Sequence, residues 1–455
     1  MTREPLLLFA AALAVRVAFI HLHPIVFGGD SILRLANSEH ILLSYNLPVL
    51  QAAIWALGGH VLAVRYLMAL SGAASAAGAY LVASHFFDRR AALAAGLMMA
   101  TSPFLVELSL VPYQEIPMLA ALLFAFHFYY SGRHAGASLA LGLACLTRYE
   151  AWCAVPVLIF AERRRIGRAL LLFGWAPALW IIFRGGLSPA GTFVLEWPAS
   201  LWRLQRYAYL AWITLKNTPP PIIILVLCGA GLLARSRPPG RLLLPAAFVS
   251  IFLISILFSA HGVAPDPERY VASREAVIPI AAAIFVAAAT VARWPRWAMP
   301  LCTIGLVWGI IDSHRFLLRD TGLPHVRLSY RLAQYLDKTL APGEKAAILA
   351  RAAPAEGYLK KIERRSGAEG VRRAREMMAA MDTSPPEYQR TLIHSKLGPK
   401  LGKERLLSRA HPSASIVAVW SDYAGPAPEG VEMTVLREGA VSVRVIRAGG
   451  GRGPP

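Results

Sequence analysis

Apolar runs near the length of a bilayer crossing recur through the first 316 residues, and this recurrence limits the fold more than any motif does. Hydrocarbon about 30 Å thick is crossed by about 20 residues of helix, because a helix satisfies its own backbone polar groups there. Eleven runs read as candidate spans: 5–23, 61–84, 91–110, 116–130, 135–147, 151–161, 169–184, 219–234, 242–260, 276–292 and 298–316. The pieces within 135–161 are each short for a full crossing. The first run follows Arg3 and lacks a small-residue cleavage site, so it reads as a signal anchor. With 56% of residues hydrophobic and 16% charged, a disordered chain or an ordinary cytosolic enzyme is excluded.

Charge is distributed differently from apolarity. Of a formal net charge of +20, residues 1–318 hold 24 Lys and Arg against 13 Asp and Glu, and residues 319–455 hold 23 against 14. The first part therefore confines its charge to loops, whereas the second is polar and basic throughout. The chain divides into a polytopic α-helical membrane domain of about 11 spans (1–318), a small soluble α/β domain (319–448) and a disordered Gly/Pro-rich tail (449–455). Within the α/β domain the patterning predicts a helix over Arg327–Leu340 and a strand over Lys345–Ala350. A basic helical stretch follows over 355–409, then strands at Ser415–Trp420, Met433–Arg437 and Val441–Ile446. The basic surface suits membrane lipid or a phosphate-bearing lipid substrate, not nucleic acid.

Cytoplasmic loops of membrane proteins carry an excess of Lys and Arg. With the N-terminus inside, 13 basic residues fall in short inside loops, among them Arg89-Arg90, Arg163-Arg164-Arg165 and Arg293; eight lie on long outer segments. This bias predicts a cytoplasmic N-terminus, and an odd span count then puts the C-terminal domain outside. Asp30, Glu115, Arg148-Tyr149-Glu150 and the cluster from Asp266 to Arg274 share the outer face in that arrangement.

Each of these residues has a plain and a chemical reading. Asp30 follows Gly28-Gly29 where an outer loop turns into an interfacial helix, so it suits an N-cap. Glu115 opens the fourth run, where a helix macrodipole favours a carboxylate; facing a cavity, it would hold a metal or orient a nucleophile. Arg148 with Tyr149 suits a snorkelling Arg beside a belt aromatic. Glu268, Arg269, Tyr270 and Arg274 suit a solvated hairpin, while the two arginines also suit a phosphate clamp, since Arg offers planar forked donors. Arg16 and Arg65 lie inside the first two spans, where an arginine is costly.

No nucleotide-binding P-loop, GxSxG elbow, HExxH or EF-hand loop occurs, so nothing points to ATP-driven transport. Cys145, Cys153, Cys228 and Cys302 lie in or beside apolar runs without CxxC spacing, which supports neither a disulfide framework nor a zinc site.

Three groups of residues carry a resemblance to a known family: Gly28-Gly29-Asp30 continuing through Tyr45-Asn46-Leu47-Pro48 to Ala63-Val64-Arg65-Tyr66; Ser102-Pro103, then Pro112-Tyr113-Gln114-Glu115 and Gly142 to Ala151; and Glu268-Arg269-Tyr270. Over residues 1–316 the chain resembles integral-membrane glycosyltransferases of the GT-C superfamily, in the protein O-mannosyltransferase and aminoarabinose-transferase group (glycosyltransferase family 39-like). The resemblance implies a polyprenyl-phosphate sugar donor and inverting transfer to a hydroxyl of a glycan, lipid or protein acceptor on the extracytoplasmic face. It makes Asp30 the general base, Glu115 a second carboxylate that orients the acceptor or binds a divalent cation, and Arg269 the group that neutralises the departing phosphate. Arg65, Arg148, Glu150, Glu268, Tyr270 and Arg274 are the further expected substrate-binding residues.

Relatives carry paired acids in the first loop, whereas Ser31 follows Asp30 here, so a metal stays open. Arg outnumbers Lys 39 to 8, which fits a GC-rich prokaryotic genome and hence a bacterial inner membrane. The alternatives are a transporter or flippase of a lipid-linked or anionic solute, which would need midplane broken helices and repeats, and a non-catalytic envelope-assembly subunit.

Overall fold

Every one of the eleven apolar runs meets a helix in the computed structural model, which describes residues 3–23, 34–35, 48–183, 210–235, 243–258, 276–320, 324–341, 344–349, 406–407, 414–420, 430–438 and 441–448. The helices are α1 (Glu4–Leu22), α2 (Pro48–Ala56), α3 (Val61–Ala83), α4 (Arg89–Thr101), α5 (Pro103–Leu108), α6 (Glu115–Tyr130), α7 (His134–Cys145), α8 (Ala154–Ala161), α9 (Ile166–Phe183), α10 (Pro220–Arg235), α11 (Leu243–Phe258), α12 (Val277–Arg293), α13 (Pro295–Asp320) and α14 (Pro324–Thr339). Among the described residues, three helical stretches are long and apolar enough to cross a membrane: Glu4–Leu22, Val61–Ala83 and Arg163–Ile182.

One run differs from the expectation of a continuous span. The stretch 91–110 is broken after Thr101, where Ser102 turns to φ −59°, ψ 121° and Pro103 starts α5. Proline lacks an N–H and disfavours helical geometry in the residue before it, so the break follows from the Ser102-Pro103 pair.

Chain contacts divide the molecule into two units. One comprises Met1–Ile20, Leu42–Ala52 and Arg65–Phe316; the other comprises His21–Ile41, Ala53–Val64 and Leu317–Pro455. In the first unit the helices approach through small residues, as expected where lipid removes the hydrophobic drive for helix association. At Gly229 of α10 an added Cβ would overlap the Val286 carbonyl oxygen of α12. Beside it, Thr290 Oγ1 donates to the Leu225 carbonyl at 2.6 Å, so the close approach also lets the two helices share a hydrogen bond. Ala73, Ala76 and Ala79 give α3 a fully buried face of the same kind.

In the second unit, α14 carries Leu328, Leu332 and Leu336 at four-residue spacing and packs them with Leu340 against Ala346, Ile416, Ala418, Val443 and Val445. These last five belong to a sheet of order β2-β1-β3-β5-β4: β1 (Lys345–Leu349), β2 (Leu406–Leu407), β3 (Ala414–Trp420), β4 (Gly430–Glu438) and β5 (Val441–Ala448). β1 runs parallel to β2 and β3, and β5 pairs antiparallel with β3 and β4. Alternation over residues 416–419 of β3 sends Ile416 and Ala418 to the helix side and Val417 and Val419 to the opposite apolar cluster, which Ala414 joins before a register shift.

Most of 355–409, the stretch expected to be helical, lies outside the described residues. Leu406-Leu407 is the exception and is a strand, aligned in register with Ala346 and Ala347. An apolar pair with no helical turn of its own completes the hydrogen bonding of an otherwise open sheet edge.

Candidate active site

The geometry that places Glu115 begins with helix termination. Helix α6 starts at Glu115 itself, which puts the carboxylate in the first turn, where the helix dipole favours it. It is buried, at 1% exposure. Helix α7 ends at Cys145, after which Leu146 and Thr147 turn and Arg148 becomes extended at φ −149°, ψ 147°. That single extended residue swings its side chain out of the helical path. A 3₁₀ turn over Tyr149–Cys153 follows, pinned where Trp152 Nε1 donates to the Cys145 carbonyl at 2.9 Å and Trp180 Nε1 of α9 donates to Tyr149 Oη at 3.1 Å.

Arg148 joins the two carboxylates. Its Nη1 donates to Glu115 Oε1 at 2.7 Å, and its Nε donates to Glu150 Oε2 at 2.8 Å. Its Nη2 donates to Glu150 Oε1, so the guanidinium edge meets Glu150 with two parallel bonds. The side chains of Arg148 and Glu150 are 17% and 18% exposed, so the group opens toward one side while Glu115 is sealed. A planar fork of fixed donors holds both carboxylates in single orientations, which a lysine would not. Carboxylate oxygens held in this way are suited to accept a hydrogen bond from a hydroxyl or to share a cation. Among the described residues no group of three or more His, Cys, Asp or Glu is placed to hold a metal.

The structure thus brings Glu115, Arg148 and Glu150 together. Arg65 is buried in α3, donating through Nε to the Leu110 carbonyl at 3.0 Å and through Nη1 to the Ile20 carbonyl at 3.4 Å. Asp30, Glu268, Arg269, Tyr270 and Arg274 lie outside the described residues.

Two polar contacts escape sequence reasoning. His85 Nε2 and His127 Nδ1 meet at 3.1 Å, and Tyr129 Oη donates to Glu162 Oε1 at 3.1 Å. Their signal in the sequence is position alone: each His ends a run beside a charged turn, at Asp88-Arg89-Arg90 and at Arg133.

Comparison with known proteins follows the same segment. Residues 47–184 match the family model for dolichyl-phosphate-mannose-protein mannosyltransferase, and this stretch contains Arg65, Glu115, Arg148 and Glu150. Among solved structures, the chain is similar to ArnT from Cupriavidus metallidurans in the apo state, with a TM-score of 0.55, 13% identity, and 97% of each chain covered. The same protein bound to undecaprenyl phosphate gives a TM-score of 0.45 and 17% identity over 88% of this chain and 78% of that one. No curated protein sequence matches. The family model matches under a third of the chain, and the likeness to the apo structure shows a shared fold.

Proposed function

We propose that the protein transfers a sugar from a polyprenyl-phosphate donor to an acceptor hydroxyl on the extracytoplasmic face, with inversion at the anomeric carbon. The observation that carries this reading is the Arg148-held Glu115, buried inside the segment that matches the mannosyltransferase family model. In this reading Asp30 removes the proton as the acceptor hydroxyl attacks the anomeric carbon, and the lipid phosphate leaves with the bonding electron pair. A phosphate departs as a stable anion, so no strong general acid is required. Arg269 and Arg274, with Glu268 and Tyr270 beside them, receive the phosphate; Arg supplies the charge-assisted forked bonds that developing negative charge needs. Glu115, fixed by Arg148 and Glu150, orients the acceptor hydroxyl or shares a divalent cation.

The reading also sets the topology. Eleven spans from a cytoplasmic N-terminus place Asp30, Glu115 and the Glu268–Arg274 group on one face, with an α/β domain of residues 319–448 on that same outer side, in a bacterial inner membrane. The test is release of polyprenyl phosphate and sugar transfer by the purified full chain in proteoliposomes supplied with polyprenyl-phosphate mannose or aminoarabinose. Asp30→Asn is expected to lower turnover by about 100-fold or more, the range for loss of a general base, with insertion in the membrane unchanged. Full turnover by that variant would remove Asp30 from the chemistry.

A further inference from the structure

Two arginines buried among the first helices converge on one short turn. Arg16 of α1, 1% exposed, donates through Nε to Ser109 Oγ at 2.8 Å and through Nη1 to the carbonyls of Ala12 and Ala100, both at 3.1 Å. Ala100 lies in the last turn of α4, whose final carbonyls lose their continuing helical donors at the Ser102-Pro103 break. Arg65 of α3 donates to the Leu110 carbonyl, two residues past the end of α5, and to the Ile20 carbonyl near the end of α1. Ser109 Oγ in turn donates to the Val106 carbonyl at 2.7 Å. Gly72 of α3 makes the room: a Cβ there would overlap both Arg16 Nε and Ser109 Cβ.

The clamped turn runs straight into the site. From Leu110 the chain passes through Val111, Pro112, Tyr113 and the buried Gln114 to Glu115, with Tyr113 N–H donating to the Val111 carbonyl at 2.7 Å. Four residues separate Leu110, the Arg65 anchor, from the carboxylate that opens α6. We propose that Arg16 and Arg65 are positioning residues for Glu115: from α1 and α3 they hold Ser109 and Leu110, and so fix where α6 begins and where its first carboxylate stands. This rests on the reading of Glu115 as part of the transferase site. In this proposal both arginines bond the ends of the protein's own helices, in contrast to the expectation that Arg65 binds substrate.

The partners of Arg16 among the described residues are a hydroxyl and two carbonyls, all neutral oxygens. Such bonds lock a backbone in place without needing a counter-ion, and a guanidinium can serve several diverging acceptors at once. A shift of about 1 Å in a positioned group is enough to cost about 100-fold in rate, which sets the scale of the effect.

The experiment uses the full chain in proteoliposomes with polyprenyl-phosphate mannose or aminoarabinose, and compares Arg65→Met, Arg65→Lys, Arg16→Met, Ser109→Ala and Glu115→Gln. Arg65→Met and Arg16→Met are expected to lower kcat by about 10–100-fold with the donor KM within about twofold, the mark of lost positioning. Ser109→Ala, which removes one acceptor without opening a large cavity, is expected to follow in the same direction, and Arg65→Lys to restore part of the loss. Combining Arg65→Met with Glu115→Gln is expected to add little to Glu115→Gln alone, because groups acting as one unit are non-additive. A rise in donor KM of about 10-fold or more at preserved kcat would instead make Arg65 a substrate contact and overturn the proposal.

A second measurement is independent of turnover. Amide hydrogen exchange over residues 109–118 is expected to speed up about 10-fold in Arg16→Met and Arg65→Met while α10 and α12 keep their protection. Unchanged exchange there overturns the proposal even if activity falls. Full activity of Glu115→Gln would sink the reading of Glu115 as a site residue; a slowed Glu115→Gln whose loss multiplies with that of Arg65→Met would sink only the positioning role.

Discussion

Replacing Arg148 by methionine removes three hydrogen bonds and leaves two carboxylates without their shared cation. The contact to Glu115 is 2.7 Å, which corresponds to about 6 kcal/mol of attraction at an effective dielectric constant of about 20. Desolvating each ion costs several kcal/mol, so the pair is close to break-even against an apolar replacement of both partners. Removing one partner is a different matter. Glu115 is 1% exposed, and a buried charge that loses its counter-ion costs about 3–5 kcal/mol. Arg148→Met is therefore expected to destabilise the folded chain by that amount, and Arg148→Met with Glu115→Gln by clearly less than the sum of the single variants. The coupling between the two positions is expected at about 1.5–3 kcal/mol, the range for a hydrogen bond to a charged group. The assay is reversible denaturant unfolding of the full chain in mixed micelles, run on the parent and the three variants as a double-mutant cycle. A coupling within about 0.5 kcal/mol of zero would refute the reasoning, since that is the scatter expected of independent sites.

Three further outcomes follow from other parts of the structure. Leu332→Ala, in the face of α14 that meets the sheet, is expected to cost about 2–5 kcal/mol and to speed amide exchange across β3 and β5 together. Gly229→Val would drive a side chain into the Val286 carbonyl and is expected to separate α10 from α12, lowering the thermal midpoint in detergent by an amount matching about 1–3 kcal/mol of overpacking. Asp88 accepts from the Ala91 N–H at 2.9 Å as the N-cap of α4; Asp88→Ala is expected to cost about 0.5–2 kcal/mol, read as faster exchange in the first turn of that helix.

What the sequence shows of this fold is what periodicity and breakers encode. Each apolar run meets a helix because a helix satisfies the backbone polar groups of a segment within that segment, as lipid requires. The strands near Ser415–Trp420 and Val441–Ile446 come within a residue or two of those observed: β3 is a short β-branched apolar run, and β5 alternates apolar with polar residues over Val441–Val445. The pairing of Leu406-Leu407 with β1 is invisible from sequence: two residues carry no periodicity, and a sheet edge acts at long range. The place of Glu115 at a helix start is legible because a carboxylate just before an apolar run is where the helix dipole favours one. Its partner is not, since Arg148 lies 33 positions away and reads locally as an interfacial arginine. Only the extended geometry of that one residue, between a helix and a 3₁₀ turn, turns its side chain toward α6.

Two features that look separate in the sequence, the Ser102-Pro103 break and the buried arginines, meet in the structure. A helical run interrupted in hydrocarbon frees carbonyls that water cannot reach, and each must find a donor inside the protein. The interruption at Ser102-Pro103 and the early end of α5 at Leu108 leave such groups at Ala100 and Leu110. Lysine brings a compact, strongly hydrated charge, which is expensive to strip of water; arginine brings a planar fork with weaker hydration and several donors spread over its edges. Arg16 and Arg65 answer those carbonyls from two different helices. The buried arginines and the short helices around 100–110 are thus one device. Without the proline break the Ala100 carbonyl would be met by its own helix, and Arg16 would keep Ser109 and Ala12 as its acceptors.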